Sequence, residues 1–222
     1  MNKSILSFGA HPDDIELGCG GTEFLLRDAG YAITHVCMTS GEAGSDVIAA
    51  EELRVIRERE AREAARMVGA GLELFNLPDG HVRSSQELQR RLITLVRRVR
   101  PEIVFVHTAD DRMRDHQEVH AMVVDAVTVA AGPWHAGCGE PHRVRSMFGY
   151  EVWDPLRNPG WVVDITATLG RKLEMLGCHA SQMSAIDYRA ASEGLARYRG
   201  VMSGRSKAAE AFEILRCEPK LS

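Results

Sequence analysis

The sequence predicts an α/β fold: a mostly parallel sheet covered by helices on both faces. Three observations predict it. Short apolar runs alternate with longer segments of helical period over the first two thirds of the chain. The runs are compact and largely apolar, as strands covered on both faces are. Neither an internal repeat nor a low-complexity tract interrupts the pattern. With 222 residues, 45% of them apolar, the chain is expected to form one domain over 1–222 and to bury a full core without staples.

The elements follow in order. Residues 4–10 form a compact apolar run that reads as a buried strand. Residues 17–28 read as a helix, and Gly30 is a suitable residue just beyond its end. Residues 31–38, rich in β-branched and aromatic side chains, read as a second strand. A long charged helix is expected over 49–68, with Leu53, Ile56, Ala64 and Met67 on its apolar stripe. A short strand over 72–75 comes next. A helix begins at Ser85 and runs to 99, where Pro101 stops it. Residues 103–106 form a four-residue apolar strand, and a helix is expected from about 115 to 131, broken by Gly132-Pro133. The loop that follows, to Pro141, carries three glycines. Later strands are expected over 147–152 and 161–165, and helices over 168–178 and 193–202. Connections of this kind cross over right-handedly, which puts a ligand crevice at the carboxyl ends of the strands.

Charge and cysteine content narrow the class. A formal charge of −4 with 26% charged residues gives no reason to expect nucleic acid or an anionic membrane as partner. Cys19, Cys37, Cys138, Cys178 and Cys217 are scattered, odd in number and form no C-x-x-C pair, which suggests free thiols in a reducing cytoplasm. The opening residues are too short an apolar run for a signal peptide, and no stretch approaches the length of a membrane span. A cytoplasmic location is therefore expected.

Two polar constellations sit just past strand ends. The first, Gly9-Ala10-His11-Pro12-Asp13-Asp14-Ile15-Glu16, packs one imidazole and three carboxylates into six residues. Histidine with carboxylate suits zinc. Adjacent Asp13 and Asp14 must diverge, so one can bind a metal while the other faces water. The competing reading is a helix N-terminus, with Asp13 or Asp14 as cap and Glu16 favourable in the first turn; it accounts for one carboxylate but not for His11. The second constellation, running from His107 through Asp110, Asp111, Asp115 and His116 to His120, again places His and Asp beyond a strand. His116 and His120 can share a helix face, although the H-E-x-x-H pattern is absent. Capping is the competing reading for Asp115, and a surface or satisfied core imidazole for His120.

At these residues the chain resembles the PIG-L/LmbE-like deacetylases. Ala10-His11-Pro12-Asp13-Asp14-Ile15-Glu16 is similar to their A-H-P-D-D-x-E signature. Ser40-Gly41-Glu42-Ala43-Gly44 resembles their G-E-x-G loop, Arg57-x-x-Glu60 with Ala64 their R-x-x-E-x-x-x-A helix, and Leu77-Pro78-Asp79-Gly80 their L-x-D-G segment. Asp164-Ile165-Thr166, Lys172 and His179-x-Ser181-Gln182 are similar to later landmarks. The resemblance implies a Rossmann-like three-layer fold and zinc-dependent removal of an acetyl group from an N-acetylated sugar or glycoside. Fe2+ is an alternative occupant and a homo-oligomer is compatible with it.

Carried over residue by residue, the resemblance makes His11, Asp14 and His116 the metal ligands and Asp13 the general base. His116 follows from Asp115-His116, which matches the second half of the family's H-x-D-H motif. The first histidine of that motif falls on Met113, which can neither donate a proton nor stabilise an oxyanion. Arg112, Arg114, His107 and His120 are the nearby candidates for that vacated role, with Asp115 as support. Arg57 and Glu42 are candidates for substrate binding, against an exposed ion pair and a turn residue respectively. His179 and Gln182 either support the site or cap a helix end. The aromatic residues of 132–141, with Trp134 and His135, and of 153–161 are candidates for shaping a pocket.

Three rival readings stand beside the deacetylase. The first is a sugar- or metal-binding homologue with altered catalysis. The second is an amidase for a different amide, such as a thiol conjugate. The third is a nucleotide-binding module suggested by Gly18-Cys19-Gly20-Gly21. That stretch lacks the G-x-G-x-x-G pattern and follows two acids that would repel phosphate, so its glycines read as a close helix–sheet contact.

Overall fold

A computed structural model describes residues 3–183 and 186–218. Its centre is a seven-stranded sheet. The strands are β1 (Ser4–Gly9), β2 (Ala32–Thr39), β3 (Gly71–Leu77), β4 (Ile103–His107), β5 (Ser146–Tyr150), β6 (Trp161–Asp164) and β7 (Ala209–Cys217). They lie in the order β3-β2-β1-β4-β5-β7-β6. The first five pair in parallel, and β7 runs antiparallel to both of its neighbours.

The helices are α1 (Asp14–Asp28), α2 (Ala50–Val68), α3 (Gln86–Val99), α4 (Arg114–Ala130), α5 (Leu169–Leu176), α6 (Ala180–Met183) and α7 (Tyr188–Met202). They form two layers around the sheet. Leu6 and Phe8 of β1 face a core shared with α3 and α4, through Leu92, Val96, Val119 and Val123. Ile5 points the other way, into a core with α1, α2 and α5, through Ile15, Phe24, Val68 and Met175. Alternate residues of a strand face opposite sides, so a β1 buried along its whole length requires both layers.

Local signals explain several boundaries. The Ser85 hydroxyl caps α3 by accepting from the Leu88 backbone N at 3.1 Å. Gly30, at φ 86°, closes α1 as expected. α1 starts three residues earlier than its sequence predicts, at Asp14, despite the glycines within it. Those glycines serve packing: a Cβ on Gly18 would stand 2.1 Å from the Tyr150 ring. α7 begins at Tyr188 rather than 193, capped by the Asp187 carboxylate. The closing strand β7 was not expected at all. Among the described residues no helix is long and apolar enough to cross a membrane, and all five cysteines are free.

The strand order reverses direction between β1 and β4: the chain steps outward from β1 to β2 and β3, then returns to place β4 on the other side. Crevices of open α/β sheets form at such a switch, beyond the carboxyl ends of the strands. The segments His11–Glu16 and His107–His116 leave the sheet there.

Candidate active site

Thr39 pins the end of β1 by donating from its backbone N and from Oγ1 to the Ala10 carbonyl, at 2.8 and 2.9 Å. The chain then turns sharply. Asp14 Oδ2 accepts from the His11 backbone N at 2.7 Å, and Asp13 occupies φ 100°, ψ −25°. This left-handed region costs a non-glycine residue about 1–3 kcal/mol. Asp13 stands at the N-cap position of α1, yet its side chain makes no capping bond. Its carboxylate is turned instead toward the cleft and toward Arg57.

His11, Asp14 and His116 converge. His11 Nδ1 and His116 Nε2 are 3.2 Å apart. One Asp14 oxygen stands 3.4 Å from His11 Nδ1 and the other 3.4 Å from His116 Nε2. Four-coordinate zinc with bonds of about 2.0–2.1 Å has ligand–ligand edges of about 3.3–3.4 Å, and these separations are of that size, each imidazole nitrogen meeting a different oxygen of Asp14. The three form a group able to hold a metal ion. Each imidazole also has a carboxylate behind it. Asp79 Oδ1 lies 3.0 Å and Asp115 Oδ2 3.6 Å from His11 Nε2, and Asp111 Oδ1 lies 3.2 Å from His116 Nδ1. A carboxylate on the far nitrogen fixes the tautomer and ring orientation of metal-binding histidines. The donor set therefore fits a borderline divalent cation.

The electrostatics separate the two adjacent aspartates. Burial alone would raise the Asp14 carboxyl, but the imidazoles of His116 and His107 outweigh it and hold it well below the usual range. Asp13 is raised to about 6, first by burial and then by Asp14, against the pull of Arg57. Burial opposes protonation of His11, but Asp115, Asp14 and Asp79 raise its pKa well above the ordinary value. His107 is lowered to about 4 by burial and by His116.

Arg57 is buried rather than exposed. Its guanidinium donates to the carbonyls of Pro12 at 2.6 Å and Gly41 at 2.9 Å, and to Asp13 Oδ2 at 3.2 Å. Gly41, at φ 64°, is needed on two counts, since a Cβ there would stand 2.3 Å from an Arg57 nitrogen. Glu42 joins two loops, accepting from the Asp79 backbone N at 3.0 Å through Oε1. Asp115 is not a cap of α4: it accepts from the backbone N of Gly80 at 2.8 Å and of Val82 at 3.2 Å, so it holds the loop after β3 as well as His11.

Several expected residues lie elsewhere. Arg112 is exposed and paired with Asp154, so it does not reach the cleft as an oxyanion donor. His120 donates from Nδ1 to the His107 carbonyl at 2.7 Å and does not line the cleft. His107 is fully buried beneath His116, with stacked rings 3.8 Å apart, and its Nε2 accepts from the Ala10 backbone N at 3.0 Å. Arg114 does line the cleft, with its guanidinium on Glu118. Trp134 and His135 do not line it; the loop carrying them is gathered by Arg97, which donates to the carbonyls of Gly132, Trp134, His135 and Gly139.

The cleft above the three convergent side chains has a volume of about 390 Å3. One wall is polar, with Arg57, Asp79, Gly80 and Gln182. Its apolar and aromatic lining is Leu17, Val152, Trp153 and Tyr188. Met113 stands at the rim, 38% exposed. His179, behind Asp13, lies 3.5 Å from Glu16. Sequence reasoning did not single out Asp111, Tyr150 or Tyr188. Tyr150 donates to the Phe8 carbonyl at 2.6 Å and packs against His107. Only the density of acids around 110–115 signalled Asp111.

Comparison with known proteins agrees with this geometry. The whole chain superposes on a conserved protein of Thermus thermophilus with a TM-score of 0.86, at 29% identity and 98% coverage of that chain. N,N'-diacetylchitobiose deacetylase from Pyrococcus horikoshii matches with a TM-score of 0.85 at 25% identity, covering 96% of this chain and 84% of that one. A 4-oxalmesaconate hydratase of Pseudomonas putida is 27% identical over 215 residues, covering 92% of this chain and 82% of its own. The family model described as PIG-L, GlcNAc-PI de-N-acetylase, matches residues 6–127, a span that holds the strand order's reversal and His11, Asp14 and His116. The chain therefore belongs to the PIG-L family, whose deacetylase members are hydrolases of carbon–nitrogen bonds other than peptide bonds.

Proposed function

We propose that this protein is a zinc-dependent N-deacetylase of a small amino sugar or glycoside, releasing acetate and a free amine. The observation that carries the reading is the convergence of His11 Nδ1, His116 Nε2 and the two Asp14 oxygens at separations of 3.2–3.4 Å, beside a second carboxylate, Asp13, held at a pKa of about 6. His11, Asp14 and His116 would hold the zinc, which when bound acidifies a water and polarises an acyl oxygen.

The chain's own groups supply the proton transfers. Asp13, ionised above about pH 6, accepts a proton from the attacking water at its carboxylate and returns it to the departing amine nitrogen. Arg57 holds that carboxylate in place and limits its rise in pKa. The polar wall formed by Asp79, Gly80 and Gln182 suits the hydroxyl groups of a sugar. Met113 leaves the oxyanion without a histidine donor from the start of α4.

The test is metal content together with turnover. His116→Ala should lose stoichiometric zinc and acetate release from an N-acetylglucosaminide. One zinc per chain in that variant would overturn the ligand set. Asp13→Ala should keep its zinc and lose most turnover, and unchanged turnover would overturn the base assignment.

The hydratase relative and the apolar Met113 at the rim together favour one second reading, in which the same site adds water to a substrate without cleaving it. Mass spectrometry of the products separates the two. Deacetylation yields acetate and an amine, whereas hydration yields one species heavier by a water.

A further inference from the structure

A second cavity, of about 280 Å3, adjoins the cleft and shares Leu17, Val152, Trp153 and Tyr188 with it. Its remaining walls are mostly apolar, from Ile186, Ala191, Leu195 and Ala196 on the α7 side and Ala209 and Ala211 of β7. The charged groups in it are Glu151, Lys172 and Glu210; Glu151 accepts from the Arg199 guanidinium and the Leu156 backbone N, and Lys172 and Glu210 satisfy each other and the backbone. Lys172 Nζ donates to Glu210 Oε1 at 2.6 Å and to the Leu17 carbonyl at 2.7 Å, and Glu210 accepts from the backbone N of Gly21 and Thr22 at 2.8 and 2.7 Å. No unpaired charge is therefore offered to a ligand there. One polar handle remains: the Ser192 hydroxyl, on a residue only 7% exposed, has no hydrogen-bond partner among the described residues.

The partition between the two cavities is the edge-to-face pair of Trp153 and Tyr188, with ring centroids 6.1 Å apart. The site is thus divided by chemistry, with a polar wall on the Arg57 and Gln182 side and an apolar route past Trp153 and Tyr188 on the other. A substrate that is polar throughout would leave this second cavity unused. Its volume equals that of about nine waters at about 30 Å3 each, enough for a short hydrocarbon chain.

From this the geometry points to an amide substrate that carries an apolar substituent, seated in the cavity lined by α7 and β7. It rests on the hydrolase reading above and sharpens its substrate class. The reaction balances as R–CO–NH–R′ + H2O → R–COO− + R′–NH3+: the C–N bond breaks, the water oxygen joins the acyl carbon, and both water protons end on the departing nitrogen. The apolar group is carried either on the acyl side or on the aglycone, and two substrate series distinguish these sources.

The experiment measures kcat/KM of the zinc-loaded protein on N-acetyl-, N-butanoyl- and N-hexanoylglucosamine, and on the methyl, butyl and hexyl glycosides of N-acetylglucosamine. Each methylene drawn from water adds about fourfold, so one series should rise at least about tenfold by the hexyl length. The series that rises identifies the side that carries the group. Ala191→Trp, at an exposed helix position at the cavity's edge, should abolish that rise and leave turnover of the shortest substrate unchanged. Two flat series, or a rise that survives Ala191→Trp, would overturn the proposal. Calorimetry with hexyl and methyl glucoside, which contain no amide, separates this inference from the function itself. Hexyl-selective binding that Ala191→Trp removes supports the cavity even if no amide is cleaved, and equal binding of the two glucosides overturns it.

Discussion

Replacing Arg57 by Met should move the pH dependence of the reaction rather than merely weaken it. The Arg57 guanidinium stands 3.2 Å from Asp13 Oδ2, and both groups are buried. At an effective dielectric of about 20, point charges at that distance attract by about 5 kcal/mol. Relaxation and charge delocalisation reduce this, and an opposite charge at such range lowers a carboxyl by about 1–3 pH units. Asp13 sits at about 6 with Arg57 present. Without it the carboxyl rises, because the ionised form loses its partner while burial and Asp14 still oppose it. Its pKa then falls at about 7–9, and the ionised fraction at pH 7 drops from about nine tenths to between about a half and a hundredth. A base must be ionised to act, so the acid limb of kcat/KM should move to higher pH by about 1–3 units, with activity recovering in alkaline buffer. A cation held by His11, Asp14 and His116 attracts Asp13 in both proteins and shifts both limbs alike, so the difference between them remains. The assay is a pH profile of kcat/KM for Arg57→Met and the parent, each with its zinc content measured. A profile of unchanged midpoint and uniformly reduced height would refute the electrostatic coupling and leave Arg57 as a purely structural clamp.

Three further outcomes follow from the same contacts. Gly18→Ala places a Cβ 2.1 Å from the Tyr150 ring, so the ring that packs on His107 must move; thermal unfolding should show a loss of about 1–3 kcal/mol, and an unchanged Tm would contradict the close packing of α1 on β5. Arg97→Met strips donors from the carbonyls of Gly132, Trp134, His135 and Gly139. Denaturant titration should reveal a loss of about 3 kcal/mol, without effect on KM because that loop is remote from the cleft, and a changed KM would refute the separation. Removing the metal with a chelator should cost about 2.7 kcal/mol if free metal is normally near 100 Kd, read by calorimetry as a Tm about 5–10 °C lower. An identical Tm with and without chelator would contradict a cation held by His11, Asp14 and His116.

What the sequence makes legible is local. The buried run of β1, the Ser85 cap of α3 and Gly30 after α1 each depend on neighbours within a few residues, and each stands where its chemistry places it. His11, Asp13 and Asp14 were visible for the same reason, as an uncommon density of polar groups at a strand's end. What stayed hidden depends on the sheet's wiring. Asp79 is legible only as part of the segment that resembles the family's L-x-D-G, with no role attached; its approach to His11 exists because β3 and β1 both flank β2. Arg112 reads as a candidate donor until Asp154, far along the chain, claims it. Arg57 reads equally well as an exposed helix charge, and only the loop at Gly41 folding over it makes it buried. β7 escaped because its seat between β5 and β6 is a property of the assembled sheet.

The adjacent pair Asp13-Asp14 shows how a short segment can produce two carboxylates of opposite character. Both are buried, so desolvation pushes both toward the neutral form. Their difference comes from direction. Asp14 turns into the imidazoles of His11, His107 and His116 and stays ionised, as a ligand requires. Asp13 turns away, and the left-handed backbone at φ 100° is what separates them. Groups whose surroundings drive their pKa values apart divide the roles of anchor and acid–base between them. The strain, about 1–3 kcal/mol, persists because Arg57 binds the Pro12 carbonyl on one side of the turn and the Asp13 carboxylate within it. A helix α2 that lost this contact would release the turn and the proposed proton acceptor together. The residue that sustains the geometry of the proposed site therefore sits more than forty positions from it in the chain, on the helix that links β2 to β3.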